Sequence, residues 1–312
     1  MHGDDLVERI LVAEDEEQMG QIAARAILND VESALKERGK VLMLFASAPS
    51  QYSTWRALIG MVKRKIVLRE TEVNKIIAFH MDEYLGLKPE APQSFGKILR
   101  EMLFKPLGLK QENIHYFDSR AGYETAVELR KAIVKQGPKN IIEKFTRKLE
   151  EEVEPHAEEI SSKFKGYGGI FDVVIGGIGK HPHIAFNDYP YANFKDKKIV
   201  RVVKLSEESR QQQVIDKEFA KIEDVPTHAL TFTLPPIFGG RSIHMIIPKK
   251  YKAEAVRLTL DGPITELIPA SGLKQPEVLS KVKFYLDKDS ASLSELAQKA
   301  IRRRGYLVDV KR

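Results

Sequence analysis

The sequence predicts an α/β protein built on a mostly parallel β-sheet with helices on both faces. Two observations predict it. Short, almost wholly apolar runs recur, "VLMLF" at Val41–Phe45, "KIIAF" at Lys75–Phe79 and "FDVVI" at Phe171–Ile175, and runs of this kind suit strands buried on both faces. Stretches with apolar residues at helical spacing separate them, and strands that alternate with helices run parallel.

In chain order, the spacing predicts a helix from about Ala13 to Gly39, closed by the glycine with Lys36 and Arg38 in its last turn. The strand "VLMLFAS" follows, then the helix "YSTWRALIGMVKRK", then the strand "NKIIAFHMDEY". "PQSFGKILREMLFKPLGL" is a short helix stopped by proline and glycine, and "NIHYFD" a third strand. From Tyr123 to Phe164 the pattern is helical and charged, with breaks expected at "QGPKN" and "VEPHAEE". "FDVVIGG" and "KIVRVVKL" read as strands and "RQQQVIDKEFAKI" as a helix. "HALTFTLPPIF" and "SIHMIIP" are strand-like, "YKAEAVRLTL" helical, "KVKFYLD" the last strand and "LSELAQKAIRRR" the last helix. No linker or internal repeat interrupts the 312 residues, so one domain spanning 1–312 is expected, with 123–164 as a helical insertion and 296–312 as a basic C-terminal helix and tail.

Fifty Lys and Arg against 44 Asp and Glu give a formal charge of +6, much of it in "RRRGYLVDVKR". That excess is too small and too local to indicate a nucleic-acid partner. The absence of cysteine excludes disulfides, thiolate metal sites and cysteine nucleophiles. "MHGDDLVERILVAEDEEQ" lacks the basic and apolar regions of a signal peptide, and no apolar stretch reaches membrane-spanning length. A cytoplasmic protein with no membrane partner is expected.

In open parallel sheets ligands sit outside the carboxyl ends of the strands, which selects three loops. Ala46-Ser47-Ala48-Pro49-Ser50-Gln51 leads into a helix, whose free N–H groups suit a phosphate; alternatively Ser50 or Ser53 only caps that helix. His80-Met81-Asp82-Glu83-Tyr84 offers two acids, one of them a candidate general base and otherwise a solvated loop acid or helix cap. "GGIGKHPHIAFND", Gly176–Asp188, holds His181 and His183 on an extended segment fixed by Pro182, suited to acid–base work, to half of a metal site, or to burial as a packed histidine.

Together these stretches resemble the glucosamine-6-phosphate deaminase/isomerase family, which is related to the 6-phosphogluconolactonases. "FHMDEYLGL" with "PQSFGKILREMLF" and "GGIGKHPHIAFND" carry the resemblance; "VPTHALTFTLP", "KKYKAEAVRLTLDGPITELIPAS" and "FYLDKDSA" extend it over roughly residues 40 to 295. It implies a Rossmann-like fold and the conversion of an amino-sugar phosphate and water to a ketose phosphate and ammonia. By resemblance, Asp82 moves a proton between C2 and C1, Glu83 stands beside it, His183 opens the sugar ring, and Asp188 assists that histidine. Ser47, Ala48, Ser50 and Lys252 meet the phosphate. The arginine that relatives place in the next helix aligns with Ile215, and Arg210, about one turn earlier, is its expected substitute. The implied partner is a small sugar phosphate, with no cofactor and no metal, and the family admits a homo-oligomer. Lys180, His181 and Pro182 depart from the family loop, which leaves open a sugar-phosphate-binding or regulatory protein altered in catalysis; the related family adds a 6-phosphogluconolactonase-like hydrolase as a further alternative.

Overall fold

The computed structural model describes residues 2–308 apart from Val67, Arg69 and Asp216, so the last four residues of the basic tail (309–312) lie outside the described residues. The described strands are β1 (Ile10–Ala13), β2 (Val41–Phe45), β3 (Ile76–His80), β4 (Asp82–Tyr84), β5 (Ile114–His115), β6 (Val173–Gly176), β7 (Val200–Lys204), β8 (His228–Phe232), β9 (Ser242–Ile247) and β10 (Val282–Asp287). Seven form one sheet in the order β1-β10-β9-β6-β2-β3-β5, every pairing parallel.

Both faces of this sheet are covered, and the period of two along its strands shows how. Leu42 and Leu44 of β2 and Ile77 and Phe79 of β3 pack into one apolar core, whereas Val41, Met43 and Phe45 with Ile76 and Ala78 pack into the other. The helices Tyr123–Val134 and Lys139–Gly166 supply Leu129, Leu149, Val153 and Phe164 to the first core; the helices Glu16–Arg38 and Tyr52–Lys63 supply Ile27, Val31, Trp55 and Leu58 to the second. The segment 123–164 is thus one of the covering layers. No helix of the described residues is long and apolar enough to cross a membrane.

Four local expectations are corrected. The first long helix starts at Glu16, because Asp15 caps it by accepting the Gln18 N–H at 2.8 Å; Ala13 belongs to β1, a strand that the sequence reading left unassigned. Gly39 ends that helix in the left-handed region, as expected. Pro155 does not break its helix: it is exposed, so the Glu151 carbonyl that loses its N–H partner faces solvent. "HALTFTLPPIF" is strand only to Phe232 and then turns into the short helix Leu234–Phe238. Finally, "DEY", "VRVVK" and "HALTF" do not join the main sheet; they form a second, antiparallel sheet in the order β4-β8-β7.

Candidate active site

The chain runs outward from β2 through β3 to β5, then returns to the other side of β2 as β6, so the order reverses between β2 and β6. Loops leaving the carboxyl ends of two such strands diverge and leave a crevice. A cavity of about 340 Å³ lies there. It is lined from β2 by Ser47, Ala48, Ser50 and Gln51, from β4 by Asp82 and Tyr84, from the loop after β6 by Lys180, His181 and His183, and from the loop after β9 by Lys249 and Lys252.

The loop after β2 is held against β6. Ala46 donates its N–H to the Ile175 carbonyl at 2.9 Å, and Gln51 Nε2 reaches the Gly176 carbonyl at 3.2 Å. This contact requires glycine at 177, where a Cβ would approach Gln51 Nε2 at 3.0 Å and the Ile246 carbonyl at 2.9 Å. Ser47 Oγ is buried with no hydrogen-bond partner among the described residues. A buried hydroxyl without a partner is costly unless a ligand or water supplies one. Lys252 is buried and Lys249 half-buried beside this loop. Lys249 takes a φ of 82°, a strained conformation for lysine, while its N–H is tied to Asp287 Oδ2 at 2.9 Å.

Asp82 and Glu83 divide as adjacent residues of a strand do, with side chains on opposite faces. The Asp82 carboxylate opens into the cavity and has no hydrogen-bond donor among the described residues. Burial, and secondly the Glu83 charge, hold it well above the usual carboxylate range. Glu83, expected beside Asp82 in the site, does not line the cavity. Its carboxylate accepts from Ser94 Oγ at 2.9 Å and from the backbone N–H groups of Tyr84, Phe95 and Gly96 at 2.9, 3.1 and 2.9 Å. It therefore anchors the start of the helix Phe95–Leu99 to β4.

The loop after β6 folds back on itself. His183 donates its N–H to the His181 carbonyl, Gly179 donates to the His183 carbonyl at 3.0 Å, and the buried Pro182 offers its carbonyl to the Ala270 N–H at 2.9 Å. His183 Nδ1 lies 2.5 Å from the Ala185 carbonyl, a contact that places the ring proton on Nδ1 and leaves Nε2 bare. Burial pushes this imidazole below its usual range; Asp188 and the Ala185 carbonyl pull it back up, while Lys252 and His181 add to the downward push. His181 itself is exposed at the mouth. Asp188 does not line the cavity. It stands behind His183, with Oδ1 taking the Tyr189 N–H at 2.9 Å and Oδ2 3.5 Å from Ser209 Oγ.

Arg210 is corrected as a phosphate ligand. It is buried and turned away, its Nη2 donating to the Ile222 carbonyl at 2.7 Å and the Val225 carbonyl at 3.1 Å. Its helix, Glu207–Ile215, presents Ser209, Gln212 and Gln213 to the cavity instead. Sequence reasoning missed these, as it missed Lys249 and Glu218. The strand-end rule would have found Lys249, which stands just past β9. An aromatic wall completes the cavity. Phe95 and Phe186 stack with ring centroids 5.9 Å apart, and Tyr84 packs against both.

Residues 14–281 match the family described as glucosamine-6-phosphate isomerases/6-phosphogluconolactonase. A glucosamine-6-phosphate deaminase of Thermoanaerobacter sp. (strain X514) is 30% identical over 91% of this chain and 94% of its own length. Glucosamine-6-phosphate deaminase 1 of Bacillus subtilis (strain 168) is 28% identical over 91% of this chain and 99% of its own. Among solved structures, a monomeric glucosamine-6-phosphate deaminase superposes with a TM-score of 0.68 at 27% identity, covering 91% of this chain and 99% of that one. A 6-phosphogluconolactonase from Trypanosoma cruzi shares the fold, with a TM-score of 0.64 at 14% identity over 91% and 96% of the two chains.

Proposed function

The chain belongs to the family of glucosamine-6-phosphate isomerases and 6-phosphogluconolactonases, and from that premise we propose that it is an enzyme of the sugar-phosphate isomerase/deaminase type, converting an amino-sugar phosphate and water to a ketose phosphate and ammonia. The observation that carries this reading is that Asp82 and His183 open into one cavity together with Ser47, Ser50 and Lys252. A base, a ring-opening group and a phosphate site are thereby within the span of one small sugar.

The chemistry follows from the protonation states. Opening a pyranose ring takes a proton from the anomeric hydroxyl and delivers one to the ring oxygen, with no net change in charge. A neutral imidazole with a bare Nε2 performs both halves in turn. Asp82, without a hydrogen-bond donor among the described residues, then takes the proton from C2 and returns it at C1, leaving an imine at C2 that water hydrolyses to the ketone with loss of ammonia. Asp188 supports the imidazolium that exists between the two halves. Ser47, the loop N–H groups of Ala48 and Ser50, and Lys252 hold the phosphate. Arg210 and Glu83 have no place in direct contact with substrate.

Identity favours the deaminase over the lactonase: relatives named as deaminases stand at 27–30%, lactonase structures at 12–18%. The test is release of ammonia and ketose phosphate from hexosamine 6-phosphates, with lactone hydrolysis measured in parallel. No turnover of any phosphosugar, with no further change on Asp82→Asn, sinks the reading. The second reading, binding without turnover, is favoured by one observation: His181 and Lys252 both oppose protonation of His183. Tight phosphosugar binding without product would select it. We place the protein in the cytoplasm, where phosphate esters are retained by their charge. Sedimentation velocity distinguishes a homo-oligomer from the monomeric state that one relative's description names.

A further inference from the structure

We infer that Glu83 is a positioning residue for the proposed reaction, its fixed negative charge making its neighbour Asp82 the stronger proton acceptor. The inference rests on the reading of Asp82 as the carbon base and adds what sets that base's strength.

Two carboxylates buried side by side cannot ionise independently, so their surroundings decide which keeps its charge. Four donors converge on Glu83, three backbone N–H groups and the Ser94 hydroxyl, whereas none reaches Asp82 among the described residues. Burial pushes both carboxyls up, but on Glu83 the four donors pull back, whereas Asp82 is held well above its usual range, so of the two Glu83 keeps its charge and Asp82 exchanges a proton.

All four donors on Glu83 are neutral. On the side away from Asp82, His80 stands against it, with Nε2 3.8 Å from Glu83 Oε2. His80 Nδ1 accepts the Phe117 N–H at 3.1 Å, so its single proton sits on Nε2, facing Glu83. Burial, with the His156 charge behind it, pushes His80 down to about 3, so it stays neutral. The Glu83 charge is thus solvated by dipoles, with no cation paired to it among the described residues, and its field acts across β4 on Asp82. On the cavity side Asp82 shares its space with Lys180, His181, His183, Glu218, Lys249 and Lys252. The cations among them favour its ionised form, Glu218 opposes it, and all are more accessible to solvent screening than Glu83 except the buried Lys252.

The experiment is the pH profile of kcat/KM for the amino-sugar phosphate in the full-length protein. Glu83→Gln is expected to move the acid limb to lower pH by about one unit and to lower the plateau about tenfold, as a weaker base requires. Glu83→Asp, which keeps the charge, is expected to lose rate while the limb stays in place. A folded Glu83→Gln protein with an unmoved limb overturns the inference. Infrared spectra of wild type and Asp82→Asn give a second arm that needs no change at Glu83. The protonated-carboxyl band that persists to the highest pH should vanish in Asp82→Asn, and its survival there would mean that Glu83 holds the proton, which also overturns it. Full activity in Asp82→Asn, by contrast, is failure of the functional reading of Asp82 itself.

Discussion

The imidazole of His183 lies directly on the backbone of Gly179: a Cβ at 179 would overlap Nε2 and come 2.5 Å from Cδ2. Glycine at this position is what lets the ring reach the cavity from a loop that doubles back through the Gly179–His183 backbone bond. Gly179→Ala is therefore expected to displace the ring and lower kcat/KM about a hundredfold, the usual cost of misplacing a catalytic group by about 1 Å. Steady-state kinetics checks this, with circular dichroism unchanged.

If His183 acts only in ring opening, its removal should matter less when no ring has to open. His183→Gln is expected to abolish most activity on hexosamine 6-phosphates while leaving proton exchange at C2 of an open-chain analogue without the C4 and C5 hydroxyls nearly intact. Equal losses on both substrates would remove the ring-opening role.

Asp82→Asn should eliminate turnover and also stabilise the fold. Burial, then Glu83, hold the folded-state carboxyl well above its unfolded value of 3.8. Its favourable contribution is complete below that value and is lost as pH rises through the raised one. The gain in melting temperature on Asp82→Asn is accordingly larger at pH 8 than at pH 4, which parallel thermal melts would read.

Arg210 and Lys252 should separate stability from binding. Arg210→Ala removes the ties to the Ile222 and Val225 carbonyls and should cost about 1–3 kcal/mol of stability, with inhibition by inorganic phosphate unchanged. Lys252→Met should weaken phosphate inhibition and raise KM. A loss of phosphate inhibition in a folded Arg210→Ala protein would return that residue to the binding site.

Much of the main sheet was legible in the sequence because a strand buried on both faces carries its own signature. "VLMLF", "KIIAF" and "FDVVI" are such strands, and β2 and β6 flank the crevice. β1 escaped because "ILVA" is a run of only four residues and cannot declare its period. The second sheet escaped because β4 has only three residues. Nothing local says that "DEY" pairs with "HALTF", nearly 150 positions downstream.

The sequence by itself determined the chemistry at the strand ends: a carboxylate at 82, an imidazole at 183 and hydroxyls at 47 and 50, each placed just beyond an apolar run. Only the tertiary structure decided which of several similar groups faces the cavity. Asp82 and Glu83 differ by one methylene, yet the pleat of β4 turns one to the cavity and the other into a nest of four donors. Arg210 carries the charge a phosphate wants, and two backbone carbonyls from the turn after its helix take it. Residue type sets what a group can do, but orientation and desolvation set whether it does it, and both are properties of the packed chain.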